Sequence, residues 1–224
     1  AALLKQEESP GLVAIALLFG LVVAVFHLMW IARKRRGALH WLKDIFNQTA
    51  NEQEFSERFA ELNQIVEAGR EPRHRKKVAV AWDEYQETLI PHRQADGPNT
   101  LRNSVRPGDF FNLDDLHFGA GFWRILPGLF VTIGLFLTFL GLIAALNTMV
   151  DESGDITTSA MAVLLTVASA KFIMSLTGLF CSIIFTIVLR MQMGKIEKAI
   201  NELNRSLEKR LSFLSLEYLA EEQL

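Results

Sequence analysis

Leu126 to Val150 reads LPGLFVTIGLFLTFLGLIAALNTMV, without one Asp, Glu, Lys or Arg. A helix rises about 1.5 Å per residue, so roughly 20 such residues cross the hydrocarbon of a bilayer. Within the stretch, Gly134, Thr138, Gly141, Ala145 and Thr148 follow at intervals of 4, 3, 4 and 3, which is one face of a helix. Leu135, Phe136, Phe139, Leu142 and Ile143 take the remaining surface. The segment is a membrane span carrying one small, hydroxyl-bearing stripe.

Working outward, Gly11–Ala32 and Phe172–Leu189 are likewise free of acids, lysine and arginine, and each block is 18 residues or longer. With 224 residues and 50% hydrophobic content, the chain is too apolar for an ordinary soluble domain. The first block follows Lys5, Glu7 and Glu8 instead of a basic leader and lacks a small-x-small cleavage site, so it reads as a retained helix. Cys181 is the single cysteine and falls inside the third block, which excludes a disulfide scaffold. A net charge of -2 gives no general argument for nucleic acid.

Loop charge sets an orientation. Between the first two spans lie 15 Lys and Arg, opening with Arg33-Lys34-Arg35-Arg36, whereas the loop after span two offers Asp151, Glu152 and Asp155 and no base. Arg190, Lys195 and Lys198 follow span three. Basic residues favour the cytoplasmic side, so the N-terminus is expected outside and the C-terminus inside. The expected organisation is an all-α membrane protein with three transmembrane helices at 11–32, 126–150 and 171–190. An outer segment precedes at 1–10, a cytoplasmic helical loop occupies 33–125, an outer hairpin and approach take 151–170, and a long cytoplasmic helical tail begins at 191–224.

The large loop carries helical spacing. Trp41, Leu42, Ile45 and Phe46 share one face; Thr49-Ala50-Asn51-Glu52 reads as a capping box before Phe55, Phe59, Leu62 and Val66, with Gly69 as a stop. Val78, Trp82, Tyr85 and Leu89 form a third amphipathic stretch ending at Pro91, and 94–112, rich in Gly, Pro, Asn and Asp, reads as a mobile linker. Past span three, Ile196, Ile200, Leu203, Leu207, Leu211, Leu214 and Tyr218 step by threes and fours, the seam of a long helix packing on partner helices.

Span three repeats the device of span two: Lys171, Ser175, Gly178, Ser182 and Thr186 form a second small and hydroxylated stripe. Such stripes serve helix packing, because small residues let backbones approach closely in lipid. Two matched stripes on successive helices also fit a shared polar lining. Neither later span holds a carboxylate or histidine in its interior, and His27 of span one sits near its basic end, a snorkelling position. A proton path through this chain therefore needs its titrating group from another polypeptide, with Thr138 and Ser175 supplying hydroxyls beside it. Lys171, on the face of Ser175 and one turn above it, reads either as an electrostatic element at the mouth or as an interfacial anchor.

Asp83, Glu84 and Glu87 crowd one helix, where pairing with Arg73, Arg75, Lys76 or Lys77 or simple solvation is the ordinary account. Ca2+ takes about 6–8 oxygens, so Glu84 and Glu87 would be only part of a metal site. No phosphate loop, His/Cys metal spacing or nucleophile elbow stands in the sequence, so no enzyme is expected and no cofactor is required. ATP is therefore not the expected energy source.

The run Leu126-Pro127-Gly128 followed by Gly134 to Ile143 resembles the second-span signature of the MotA/TolQ/ExbB proton-channel family. Ala170-Lys171-Phe172-Ile173-Met174-Ser175-Leu176-Thr177-Gly178-Leu179 is similar to that family's third-span segment, with a pore hydroxyl three residues before Gly-Leu. Within the family, Thr138 to Ile143, Ala81-Trp82-Asp83-Glu84-Tyr85 and the helical tail look most like members serving anti-phage defence. The resemblance implies a homopentamer around a dimer of a single-span MotB/ExbD-like protein with a membrane aspartate, working as a proton-driven motor in the bacterial inner membrane. It implies an ion pathway at Thr138 and Ser175, accompanied by Lys171, Gly134, Gly141, Gly178 and Ser182. Serine stands at 175 where relatives usually have threonine, and Ser182-Ile183-Ile184-Phe185 stands where they often have proline. An ExbB/TolQ-type energiser of outer-membrane processes and a non-conducting scaffold are the alternatives.

Overall fold

The computed structural model describes residues 9–92, 100–147 and 158–213. Asp151, Glu152 and Asp155 of the acidic hairpin, Thr148 of the span-two stripe, and Leu214 and Tyr218 of the C-terminal seam lie outside the described residues. The chain is mostly helical: α1 (Ser9–Phe46), α2 (Glu52–Glu57), α3 (Phe59–Gly69), α4 (Arg73–Gln86), α5 (Leu126–Asn147) and α6 (Thr158–Glu208). Among the described residues short strands join them, β1 (Leu89–His92), β2 (Thr100–Asn103) and β3 (Ser212–Phe213). Among the described residues three helices are long and apolar enough to cross a membrane, within Pro10–Phe46, Leu126–Ala144 and Ala168–Glu208. The helices do not break where the apolar runs stop. Between Ala32 and Trp41 the only helix-weakening residue is Gly37, so α1 continues into its amphipathic part without a cap. In the same way α6 starts at Thr158, in the stretch read as the approach to span three, because 158–170 contains neither Gly nor Pro.

Contacts divide the chain into two compact units, residues 1–29 with 120–191 and residues 30–119 with 192–224. The second unit has a continuous apolar core. Leu39, Leu42 and Phe46 of α1, Phe55, Leu62, Val78, Trp82 and Tyr85 of the loop helices, and Ile196, Ile200, Leu203 and Leu207 of α6 are all buried in it. The α6 seam thus closes on helices of its own chain, which corrects the expectation that it packs on partner helices. Trp82 organises the centre: its ring lies 4.4 Å from that of Phe46, and its Nε1 donates to Asn63 Oδ1 at 2.9 Å. Gly69 ends α3 as expected, and close approach requires it: a Cβ there would stand 2.7 Å from Trp41 Cζ2.

Four expectations need correction in this unit. The cap before α2 is Asn51, whose Oδ1 accepts from Glu54 N at 2.8 Å while Glu54 Oε2 accepts from Ala50 N at 2.8 Å. The capping box is real but starts two residues later than read, because Thr49 is buried and engaged elsewhere. Second, the stretch through Phe55, Phe59, Leu62 and Val66, read as one helix stopping at Gly69, divides at Arg58 into α2 and α3. Third, the part of 94–112 that is described is folded: β2 pairs antiparallel with β1, Leu101 opposite Pro91, and Phe111 is wholly buried. Pro91 is tolerated because β1 is an edge of the sheet, whose order is β1-β2-β3.

The fourth correction concerns the tail. α6 stops at Glu208, and Ser212–Phe213 turns into a strand parallel to β2. Arg210 makes the stop. Its Nη1 donates to Ser206 O at 2.7 Å, satisfying one of the last helical carbonyls, while its Nε and Nη2 reach Thr49 O at 3.1 and 2.9 Å. Burial lowers the pKa of this guanidinium, and the six oxygen contacts it makes with Asn47, Thr49 and Ser206 compensate the desolvation.

Candidate functional site

In the first unit, α5 and α6 meet along their glycines. Gly134 and Gly178 face one another so closely that a Cβ on Gly178 would lie 2.5 Å from Phe130 O and 3.2 Å from Gly134 Cα. A Cβ on Gly134 would lie 2.8 Å from Met174 O. Backbone is therefore packed on backbone, the arrangement that small residues permit and larger ones forbid.

Thr138 sits one turn along α5 from Gly134, 1% exposed. Its hydroxyl donates to Gly134 O at 2.8 Å and stands 3.1 Å from Lys171 O on α6. In a regular helix that same Lys171 carbonyl accepts the amide of Ser175. Thr138 thus reaches α6 one turn before Ser175, whose own bond to that carbonyl is the ordinary amide bond of the helix. Their exposure differs: Thr138 is closed within the seam, whereas Ser175 keeps half-exposed surface at its rim.

Lys171 is buried, with its aliphatic stem laid over Gly141; a Cβ at 141 would meet Lys171 Cδ at 2.8 Å. The missing side chain at 141 makes the room that the lysine stem fills. Ser182 is half-buried and Thr186 exposed, its hydroxyl turned back to Ser182 O at 2.8 Å. The buried face of α6 runs through Lys171, Met174, Gly178, Cys181, Phe185 and Leu189, so it is rotated from the hydroxyl stripe and shares only Lys171 and Gly178 with it. Met174 and Cys181 were missed by the stripe reading. Their spacing from Gly178, four before and three after, was as visible as that of the serines.

Elsewhere in this unit, Trp123 stacks 6.1 Å from Phe185 and its ring lies 5.4 Å from that of His27. The outward faces of α5 and α6 are apolar, with Phe136 and Phe139 on one and Phe172, Leu176 and Phe180 on the other all more than 50% exposed. Continuous apolar surface of this extent is suited to lipid or to further membrane helices.

In the second unit, Glu84 is exposed on α4, and Glu87, its C-cap residue, is exposed as well. Asp83 is held by Arg70, Nη2 to Oδ2 at 2.9 Å, and Arg70 also pairs with Glu67. The cation on Asp83 therefore comes from the end of α3, not from the basic first turn of α4. Among the described residues no set of three or more His, Cys, Asp or Glu is placed to hold one ion. A Ca2+ ion at Glu84 and Glu87 would have to take its remaining oxygens from water, backbone or another copy.

Three long apolar helices, two of them packed glycine to glycine, joined to a folded polar unit, define a multi-span helical membrane protein. A family model described as the anti-phage protein ZorA of the Zorya type I system matches residues 1–222, and the chain belongs to that family. A comparison with curated proteins gives no match.

Proposed function

We propose that the chain is the pore-forming subunit of a proton-driven motor that acts in Zorya anti-phage defence. The observation that carries this reading is the Thr138 hydroxyl of α5 closed against the Lys171 carbonyl of α6, one helical turn from Ser175, in a seam that keeps Ser175 at its edge. α5 and α6 contribute hydroxyls and carbonyls to that path and no titratable acid among the seam residues. The acid belongs to a single-span ZorB/MotB/ExbD-like partner, whose membrane aspartate takes up and releases protons beside Ser175. Proton flow down the transmembrane gradient then turns one set of subunits against the other. Five copies of this chain surround two of the partner in the bacterial inner membrane, with the N-terminus outside and the polar unit in the cytoplasm. The exposed phenylalanines and leucines of α5 and α6 are divided between neighbouring copies, the partner helices and lipid.

Two features support the motor over a non-conducting scaffold. A scaffold is served by the glycine contacts and gains only about 0.6 kcal/mol from the Thr138 hydroxyl bond, whereas in a motor the same hydroxyl also supplies a polar group beside the partner's acid. The similarity of both later spans to the MotA/TolQ/ExbB signatures points the same way. Native mass spectrometry of the complex co-expressed with its single-span partner tests the assembly. The expected result is five copies of this chain with two of the partner. Purification of this chain as a partner-free species when the partner is present in excess would overturn it.

A further inference from the structure

The second unit holds a pocket of about 360 Å³ in which basic side chains converge. Lys34 and Arg35 enter it from α1, and Arg73, His74 and Lys77 from α4, with Ile31 and Phe118 supplying apolar wall. Arg35 is fixed by donating to Phe118 O at 2.6 Å, and Lys34 Nζ rests 3.7 Å from the centre of the Trp30 ring. Among the described residues none of the five basic side chains is ion-paired with a carboxylate. Four charged groups, Lys34, Arg35, Arg73 and Lys77, around one small volume raise a potential that an anion relieves.

The element that lines the pocket adds to the imbalance. α4 begins at Arg73 after Pro72, with no side-chain cap and no acid in its first turn. A helix N-terminus favours negative charge, yet this one presents Arg73, His74 and Arg75. Burial and the charges of Arg75 and Lys34 hold the His74 imidazole below its usual pKa, as expected where positive charge lacks compensation.

Position identifies the anion. The apolar run of α1 ends at Ala32, so Lys34 and Arg35 stand at the level where that helix leaves the hydrocarbon, next to the exposed indole of Trp30. Basic groups at that level meet the phosphates of anionic lipids, and the wall of Ile31 and Phe118 suits the glycerol and first acyl carbons.

We propose that this pocket is a binding site for the phosphate of an anionic phospholipid headgroup, held between the membrane-exit turn of α1 and the first turn of α4. The site depends on α1 crossing a membrane and does not depend on proton conduction, so the two readings fail separately. The test titrates dioctanoyl phosphatidylglycerol, dioctanoyl phosphatidylcholine and inorganic phosphate against the full chain in its detergent-solubilised complex, followed by tryptophan fluorescence. Each basic group near an anionic headgroup is worth about fivefold in affinity, so Arg73→Gln with Lys77→Gln should weaken phosphatidylglycerol binding roughly 25-fold. Lys76→Gln, a control for general charge on the same helix, should change it less than about twofold by the same reasoning. The paired exchange Arg73→Lys with Lys77→Arg keeps the charge and should keep binding, which separates loss of the site from loss of the fold. Equal binding of the two lipids by the unmodified protein, or equal loss in the Lys76 control, would overturn the proposal. Inorganic phosphate binding as tightly as the lipid would overturn the lipid assignment in favour of a soluble ligand.

Discussion

Gly178→Ala is expected to force α5 and α6 apart and to cost the complex more stability than any other single methyl added to the spans. The new Cβ would fall 2.5 Å from Phe130 O and 3.3 Å from Phe130 C, and both are backbone atoms of α5 that have no rotamer to escape into. Overpacking of this kind costs about 1–3 kcal/mol when side chains can yield, and a rigid backbone places the substitution at or above the top of that range. Gly134→Ala meets Met174 O at 2.8 Å and should follow closely. Gly141→Ala provides the contrast: its Cβ meets the flexible stem of Lys171, which can swing aside. Thermal unfolding of the three variants in detergent should therefore rank Gly178→Ala and Gly134→Ala well below Gly141→Ala. Equal melting temperatures for all three would show that the two helices are not packed as described.

The second large effect is on activity. Thr138→Val keeps the volume and removes the hydroxyl, and such interhelical hydrogen bonds in membranes average only about 0.6 kcal/mol. If the hydroxyl serves packing alone, the variant is barely destabilised and protects cells from phage as before. If it belongs to the proton path, the complex assembles with an unchanged melting profile and protection falls at least tenfold, by the usual cost of removing a required polar group from a charge-transfer site. Thr138→Ser restores the hydroxyl and should restore protection. Ser175→Ala, at the half-exposed rim, is expected to act in the same direction as Thr138→Val.

Much of this was legible in the residues because the bilayer leaves few solutions. Long uncharged runs must be helices, and Gly134 and Gly178 mark a place where helices can pack closely. What escaped notice was decided by distant partners. Thr49 and Asn51 are both good caps, and the choice fell to Asn51 because Arg210, 161 residues away, occupies Thr49. The same arginine ends α6 although the apolar periodicity in the sequence continues through Leu211 to Tyr218. The short strands lack the length to show an alternating pattern, and the segment after β2 folds because Phe111, Leu116 and Phe118 find room in a core built from α1, α2, α3, α4 and α6. At the candidate site, the glycines located the seam, but the exact facing of α6 was ambiguous. Gly178 belongs to both possible stripes, and only the bulk of Met174 and Phe185 against α5 and its surroundings selects between them.

The division of labour between two chains is tested most directly by proton uptake into sealed vesicles under an imposed pH gradient. Vesicles holding this chain alone should be no leakier than lipid, those holding it with the single-span partner should conduct, and Thr138→Val should silence the latter. Conduction by this chain alone, or undiminished conduction by the Thr138→Val complex, would contradict a path whose exchangeable acid is supplied by the partner and passed along the α5–α6 seam.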